Sequence, residues 1–316
     1  MMMKEIGGYL ELEHCSGEEY HAQLVGVNSG RNALLYILRA RGVKKLHIPR
    51  FLCDSVSRLC QREGVDFDTY GIGRDFLPRF DGVLNEGEWL YVVNYYGQLS
   101  DAYLLELQAR YGRIIVDHVQ DFFRRPLPGV DCVYSCRKFF GVPDGGYVAC
   151  DTALPLEVDS SRERMRHLLG RFEVSGSAYY ADFQQNDALF YDLPLRAMSP
   201  LSRNILRSVD YDAVRQRRND NYAVLAAALD GRNPLRLTAP DGPYCYPFYC
   251  KNGMVLKRAL AQQKIYVPTL WPDVAAEAGS IEKDYAENIL PLPVDQRYDA
   301  QDMQRILDAL FELTTG

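Results

Sequence analysis

Three residues in the middle of the chain have the types and spacing to do chemistry together. The stretch RIIVDHVQDFF (113–123) is an apolar run that ends in an acid, Asp117, with an amide three residues on at Gln120. The stretch DCVYSCRKFFGVPDGGYV (131–148) follows, with Lys138 in a polar-aromatic loop ahead of Gly145 and Gly146. An acid and a lysine, each at the exit of a buried strand, suit a pyridoxal phosphate site. The lysine amine forms an imine with such a cofactor. The acid pairs with the pyridine nitrogen and keeps it protonated, so that the ring draws electrons. Phe139 and Phe140 beside Lys138 predict a partly desolvated amine, which lowers a lysine pKa and makes it nucleophilic. Spacing alone leaves a plainer account equally open: a strand-end carboxylate and a surface lysine.

Such residues need a scaffold, and the chain reads as a run of α/β units. LVGVNSG (24–30) is a strand entering a turn, and RNALLYILRARG is an amphipathic helix ending at Gly42. KKLHIPRF, VDFDTYGI, LYVVNYYG and RIIVDHVQ are further strands, separated by the helices CDSVSRLCQREG and SDAYLLELQARYG. Apolar strands alternating with helices argue a parallel sheet covered on both faces, which DCVYS and GGYVACD extend. Residues 151 to about 210 are less regular, with tyrosines and a long helical candidate. SVDYDAVRQRRNDNYAVLAAALDG (208–231) reads as a connecting helix. Beyond it come a strand (CYPFYCK), a helix (GMVLKRALAQQ), a strand (KIYVPTL), the extended ILPLPVD and a final helix from Ala300. The fold class is therefore α/β. Residues 1–230 form a large domain with a mostly parallel central sheet, and 231–316 a smaller C-terminal α+β domain.

Ligands of open parallel sheets bind beyond the carboxyl ends of the strands. Ser29–Gly30, Asn94–Gly97, Asp117–Gln120 and Ser135–Lys138 all fall at such ends. Ser29, Gly30 and Arg31 open a helix, where free N–H groups and the helix dipole favour a phosphate; an ordinary N-cap by Asn28 or Ser29 explains the same residues. Ser135 and Arg137 lie within reach of that phosphate. Gln120 suits a hydrogen bond to the cofactor's phenolic oxygen. His118 reads as a packing residue rather than a ligand. Asn94, Tyr96 and Trp271 are candidates for the substrate side, and each reads equally as packing.

Composition narrows the class. The 316 residues are 47% hydrophobic and 25% charged, as in a globular protein, and the net charge of -6 offers no field for nucleic acid. The basic run RERMRHLLGR (162–171) reads as one solvated helix face. MMMKEIGGYLELEH has no apolar core of a secretion signal, and no apolar run is long enough for a bilayer. Eight cysteines without a C-x-x-C pair, and histidines without metal spacing, predict reduced thiols, no metal and a cytoplasmic protein.

Several segments together resemble the DegT/DnrJ/EryC1/StrS family of pyridoxal phosphate-dependent sugar aminotransferases. NSGRNALLYIL resembles the family's "SGT-x-AL" phosphate loop, and IPRFLCDSV its "P-x-F-T-F-x-A-T" segment. VVNYYGQLSD resembles "V-H-x-Y-G-Q-x-x-D", and IIVDHVQDF resembles "I-x-D-A-A-Q-x". RKFFGVPDGGYV resembles the lysine loop, with Lys138 seven residues before Gly145. RQRRNDNYAVL resembles the helix into the small domain, and ILPLPVD the late "L-P-x" segment. The likeness runs from about residue 7 to 311. It implies the type I pyridoxal phosphate-dependent transferase fold and a homodimer with composite sites, in which the aromatic-rich 179–196 takes part. It also implies transfer of an amino group from an amino acid donor, glutamate, to a keto sugar or similar small carbonyl acceptor through the Lys138 imine. Dehydration on the same scaffold, or a non-catalytic cofactor-binding or regulatory protein, are the alternatives. The chain departs from the pattern at Arg31 (a threonine in the family), Cys53 (often an aromatic stacked on the ring) and Asn94 (usually histidine). It has no clear match to "G-x-N-x-R"; MSPLSRNIL stands nearest.

Overall fold

The structure is a computed structural model that describes residues 6–272, 274 and 280–315. Its centre is an eight-stranded sheet of order β1-β8-β7-β6-β5-β2-β3-β4. The strands are β1 (Val25–Val27), β2 (Lys45–Pro49), β3 (Asp66–Ile72), β4 (Pro78–Arg79), β5 (Glu88–Val93), β6 (Ile114–Asp117), β7 (Asp131–Ser135) and β8 (Gly146–Ala149). β3, β2, β5, β6 and β7 are parallel; β8 is antiparallel to both β7 and β1. Two reversals cancel, so β1 runs with β7 and ends on the same rim. Every residue of β6 and β7 is buried, as expected of strands covered on both faces.

Three helices connect these strands: α1 (Gly30–Arg41), α2 (Asp54–Glu63) and α3 (Asp101–Tyr111). Their ends follow from sequence. Ser29 and Ser100 cap α1 and α3 by accepting the N–H of Asn32 and Tyr103, and all three helices stop at a left-handed glycine, Gly42, Gly64 or Gly112. One face of the sheet packs Leu34, Leu35, Ile37 and Leu38 of α1 against Val27, Val93, Ile115 and Val133. The other buries Val92, Val116, Tyr134, Phe122 and Phe140.

The region after β8 is irregular, as its sequence reads, but its long helical candidate is replaced by short helices. It forms α4 (Arg166–Glu173), α5 (Tyr180–Leu189) and α6 (Pro200–Arg207). The basic run at 162–171 is not one solvated face either. Arg164 is 9% exposed and paired with Asp159 at 2.8 Å, and His167 is buried beside it. The connecting helix is α7 (Tyr211–Leu229), capped by Asp210.

α7 leads into a second core around a two-stranded antiparallel sheet, β9 (Cys245–Tyr249) with β10 (Ile289–Pro293). α8 (Gly253–Gln262), α9 (Ile281–Asn288) and α10 (Ala300–Thr315) complete this part. KIYVPTL is not a strand. Lys264 has φ +60°, and the Ile265 N–H turns back to the Leu260 carbonyl at the end of α8, so the segment leaves the helix in a tight turn instead of joining a ladder. No helix among the described residues is long and apolar enough to cross a membrane, and the eight cysteines are free thiols.

Candidate functional site

Strand register brings the polar segments of the rim together. Val93 of β5 pairs Asp117 of β6, and Asp117 pairs Val133 of β7. β5 and β6 end together and β7 two residues further on, so the turns that follow are neighbours. After β7 the chain makes a short 3-10 turn, Cys136–Lys138, before doubling back towards β8. The glycine pair is required by this arrangement. Gly146 lies between Val27 of β1 and Ser135 of β7, and a Cβ there would meet the Ser29 carbonyl carbon at 2.7 Å and the Tyr134 oxygen at 2.8 Å. Gly145 donates to the Asn28 carbonyl and accepts from the Cys136 N–H, which ties the α1 turn to the lysine turn. A Cβ on Gly30 would in turn stand 3.1 Å from that of Ser135. The start of α1 and the lysine turn are therefore in contact.

Asp117 is 4% exposed. Its Oδ2 accepts from the Tyr91 hydroxyl at 2.6 Å and its Oδ1 from the Val119 N–H at 2.8 Å. Burial pushes the carboxyl above the usual carboxylate range; the Lys138 ammonium, the Tyr91 hydroxyl and the Val119 N–H pull the other way. Lys138 itself is exposed, contrary to the desolvation expected from its neighbours. Phe139 and Phe140 turn away from it and pack with Phe122 and Phe123 in the core. The turn is clamped from behind by Arg218 of α7. This arginine is 1% exposed and donates to the carbonyls of Phe139 and Pro243 and to Gln296, while Gln296 Nε2 donates to the same Phe139 oxygen.

Gln120 uses one half of its amide. Oε1 accepts the Tyr96 N–H at 2.9 Å, whereas Nε2 is buried without a partner. Ser29 is 4% exposed and its hydroxyl caps α1 through the Asn32 N–H, as the plainer reading had it, which leaves the N–H groups of Gly30 and Arg31 for a ligand. The Arg31 guanidinium lies 4.2 Å over the Tyr191 ring, with Nε and Nη1 buried and unpartnered. Arg137 stacks on Phe190 at 3.9 Å and pairs with Asp187. The strap that carries these rings is stitched to the α1 turn. Asn28 and Asn32 donate to the Pro194 carbonyl, and Arg196 O accepts the Asn28 N–H.

Three candidates for the substrate side are turned inward. Asn94 is fully buried, bonded to Asp121, His118 and the Leu99 N–H, because its side chain closes the turn after β5. Tyr96 is 1% exposed at φ +54°, its ring edge-on to Phe76. Trp271 is 8% exposed and packs edge-on against Phe51 and Tyr95. His118 stacks on Tyr134, and burial pushes its pKa down to about 3, so it is a neutral packing residue. Sequence reasoning passed over Tyr91 and Arg218. Tyr91 had one usable signal: once β5 and β6 are in register, it shares a sheet face with the position opposite Asp117.

No protein-family model matches the chain, and no curated protein matches it. Solved structures do. DesV of S. venezuelae is 20% identical with a TM-score of 0.61, over 92% of this chain and 84% of that one. A DegT DnrJ EryC1 StrS aminotransferase from Brucella abortus is 14% identical with a TM-score of 0.62, over 92% and 85%. NtdA from Bacillus subtilis, solved with bound cofactor PMP, is 14% identical with a TM-score of 0.66, over 93% and 73%. At these identities the likeness establishes the fold, which is that of the type I pyridoxal phosphate-dependent transferases.

Proposed function

We propose that the chain is a pyridoxal phosphate-dependent aminotransferase of the DegT/DnrJ/EryC1/StrS kind. The observation that carries the reading is that an acid and a lysine share one rim. A buried carboxylate, Asp117, ends β6, the exposed Lys138 lies in the turn after the adjacent β7, and its charge acts on the carboxyl. The cofactor suits the residues present. Gln120 Nε2 is an orphaned buried donor, and the open N–H groups of α1 meet Ser135 across Gly30. The backbone of Gly30 and Arg31, with Ser29 and Ser135, would hold the phosphate. Gln120 would donate to the phenolic oxygen, and Asp117 to Lys138 would span the ring. Bound there, the group supplies an electron sink and an aldehyde for imine chemistry.

The chain's own residues divide the remaining work. Asp117 holds a proton on the ring nitrogen by charge pairing. Lys138, exposed on its turn, would reach cofactor and substrate, and its Nζ as a free amine would be the base for the α-carbon proton of the donor. The Arg218 clamp on the Phe139 carbonyl keeps that amine on the site. Glutamate is the proposed donor and a keto sugar or similar small carbonyl compound the acceptor, in line with the sequence resemblance and with the sugar aminotransferases that share the fold. A homodimer fits the exposed apolar residues of α4 and α5, where Phe172 is 91% and Tyr180 57% exposed. We place the boundary between the two domains near residue 230, after α7.

The test is spectroscopic. The purified protein given pyridoxal phosphate should show a visible lysine-linked band, and glutamate should bleach it. Borohydride followed by peptide mapping should place the phosphopyridoxyl label on Lys138. A label on Lys251 or Lys257 would refute the site, and no band at all would refute the cofactor.

A further inference from the structure

The environment of Asp117 contains a device that the proposed function does not yet use. Tyr91 pairs with Ile115, and two residues later Val93 pairs with Asp117. Tyr91 and Val93 point to one face of the sheet, so the Tyr91 ring runs diagonally to the carboxylate. Its hydroxyl reaches Oδ2 at 2.6 Å, and both side chains are buried, at 2% and 4% exposure. The Tyr91 backbone is tied as well, because the Tyr70 hydroxyl donates to its carbonyl at 2.6 Å.

A carboxyl that has taken up its own proton cannot balance a pyridinium, and burial favours that neutral form. Three groups oppose it: the Lys138 ammonium, the Tyr91 hydroxyl and the Val119 N–H. Lys138 acts only while its amine is free and charged. The backbone N–H is present whatever the side chains are. Tyr91 is then the one side-chain hydrogen-bond donor to Asp117 among the described residues. Two other titratable groups act on the pair, Cys53 at the start of α2 and Tyr95 beyond β5. Neither donates to the acid: the Tyr95 hydroxyl is bonded to the Phe51 carbonyl, and Cys53 Sγ contacts Ser55 Oγ.

We infer that Tyr91 is a positioning residue, whose hydroxyl on Oδ2 at the buried end of β6 keeps Asp117 a carboxylate and fixes the direction in which it meets the ring nitrogen. Its role in catalysis rests on the pyridoxal phosphate reading. The contact itself can be tested without the cofactor.

Tyr91→Phe keeps the ring and removes only the hydroxyl. In cofactor-free protein, the carboxylic C=O stretch of Asp117, assigned by its loss in Asp117→Asn, is followed by infrared spectroscopy against pH. Removing a hydrogen bond to a charged group should raise the Asp117 midpoint by about one to two pH units. A 3-fluorotyrosine at position 91 fits the same space and is a stronger donor, so it should lower the midpoint. In the cofactor-loaded protein, absorption of the Tyr91→Phe variant should show the ring nitrogen losing its proton at lower pH than in the native protein, with the Lys138 label retained. Unchanged midpoints in both variants overturn the inference. So does a fall in thermal stability without a shift in midpoint, which is what a merely structural tyrosine gives. If no pyridoxal phosphate is taken up, the cofactor reading falls, and the infrared midpoint still decides the contact between Tyr91 and Asp117.

Discussion

Lowering the pH from 7.5 to 5 should destabilise this protein steeply; the two most deeply buried histidines set most of the effect, and His167, lowered by burial as well, adds to it. Burial holds His21 down to about 4 and His118 down to about 3, whereas an unfolded chain titrates histidine near its ordinary value of 6.5. Both are fully enclosed; His21 Nε2 bonds the Phe122 carbonyl, and His118 Nδ1 faces the Asn94 amide. Their folded pKa values are depressed, so between 6.5 and 4 the unfolded state binds protons that the folded state refuses. Stability is complete above 6.5 and is lost as the pH falls. At pH 5 each histidine has cost about 2 kcal/mol relative to pH 7.5, and together about 4 kcal/mol. The slope near pH 5.5 should be about 2.5 kcal/mol per pH unit. Asp117 and Asp121 act in the opposite sense, since burial raises their folded pKa values and their contribution is lost as the pH rises. They trim the slope. Glu88, held at about 2, and the lowered Glu63 and Asp295 lose their contribution only further down, as pH drops below the ordinary carboxylate range. Urea titrations at intervals between pH 5 and 7.5 measure the slope directly. His118→Gln removes one titrating group and should roughly halve it. A flat profile over this window, or a slope unchanged in His118→Gln, would refute the reasoning. The outcome bears on chemistry too, because a His118 that stays neutral carries no proton for catalysis and leaves that work to Asp117 and Lys138.

Asp117→Asn should slow the glutamate half-reaction by orders of magnitude, measured by single-turnover absorbance, while the cofactor-free protein loses no thermal stability, because the substitution removes a buried charge. A half-reaction near the native rate would place the acid elsewhere. Arg31→Thr should weaken cofactor retention and leave the Lys138 label intact, since two unpartnered guanidinium nitrogens lie beside the open turn of α1; titration of the stripped variant checks this, and unchanged affinity removes Arg31 from the phosphate site. Phe172→Glu should shift the protein towards monomer in sedimentation on dilution, because it places a charge on the exposed apolar surface of α4. An unaltered oligomer would assign the interface to another surface.

The centre of the sheet was legible because β5, β6 and β7 are buried on both faces, and burial writes unbroken apolar runs such as IIV and LYVV into the sequence. The rim was legible for the same reason: polar residues at the ends of such runs stand out. What escaped was anything that depended on knowing which residues lie opposite one another. Tyr91 sits inside an apolar strand, where a tyrosine passes for core, and only register shows its hydroxyl reaching an acid on the next strand. Arg164 lies in a run that reads as a solvated face and Arg218 in the charged first half of the connecting helix, yet both are buried because an acid or a carbonyl meets them. KIYVPTL has strand composition but joins no ladder, since it leaves α8 through a tight turn at Lys264.

The same distinction separates the two halves of the candidate site. Residues that would touch the cofactor, from Ser29 to Lys138, follow directly after strands, so local pattern finds them. Residues that aim them come from elsewhere in the chain: Tyr91 for Asp117, Arg218 and Gln296 for the turn of Lys138, and the Pro194 and Arg196 carbonyls for the turn of α1. Lys138 illustrates why this matters. Its flanking phenylalanines suggested a buried amine, but they anchor the turn in the core and leave the lysine exposed on the other side. The anchors hold the backbone of the turn, and Arg218 locks the Phe139 carbonyl to the helix that leads into the second core. A lysine that must serve first a cofactor and then a proton needs a fixed base and a free tip, and the turn provides both.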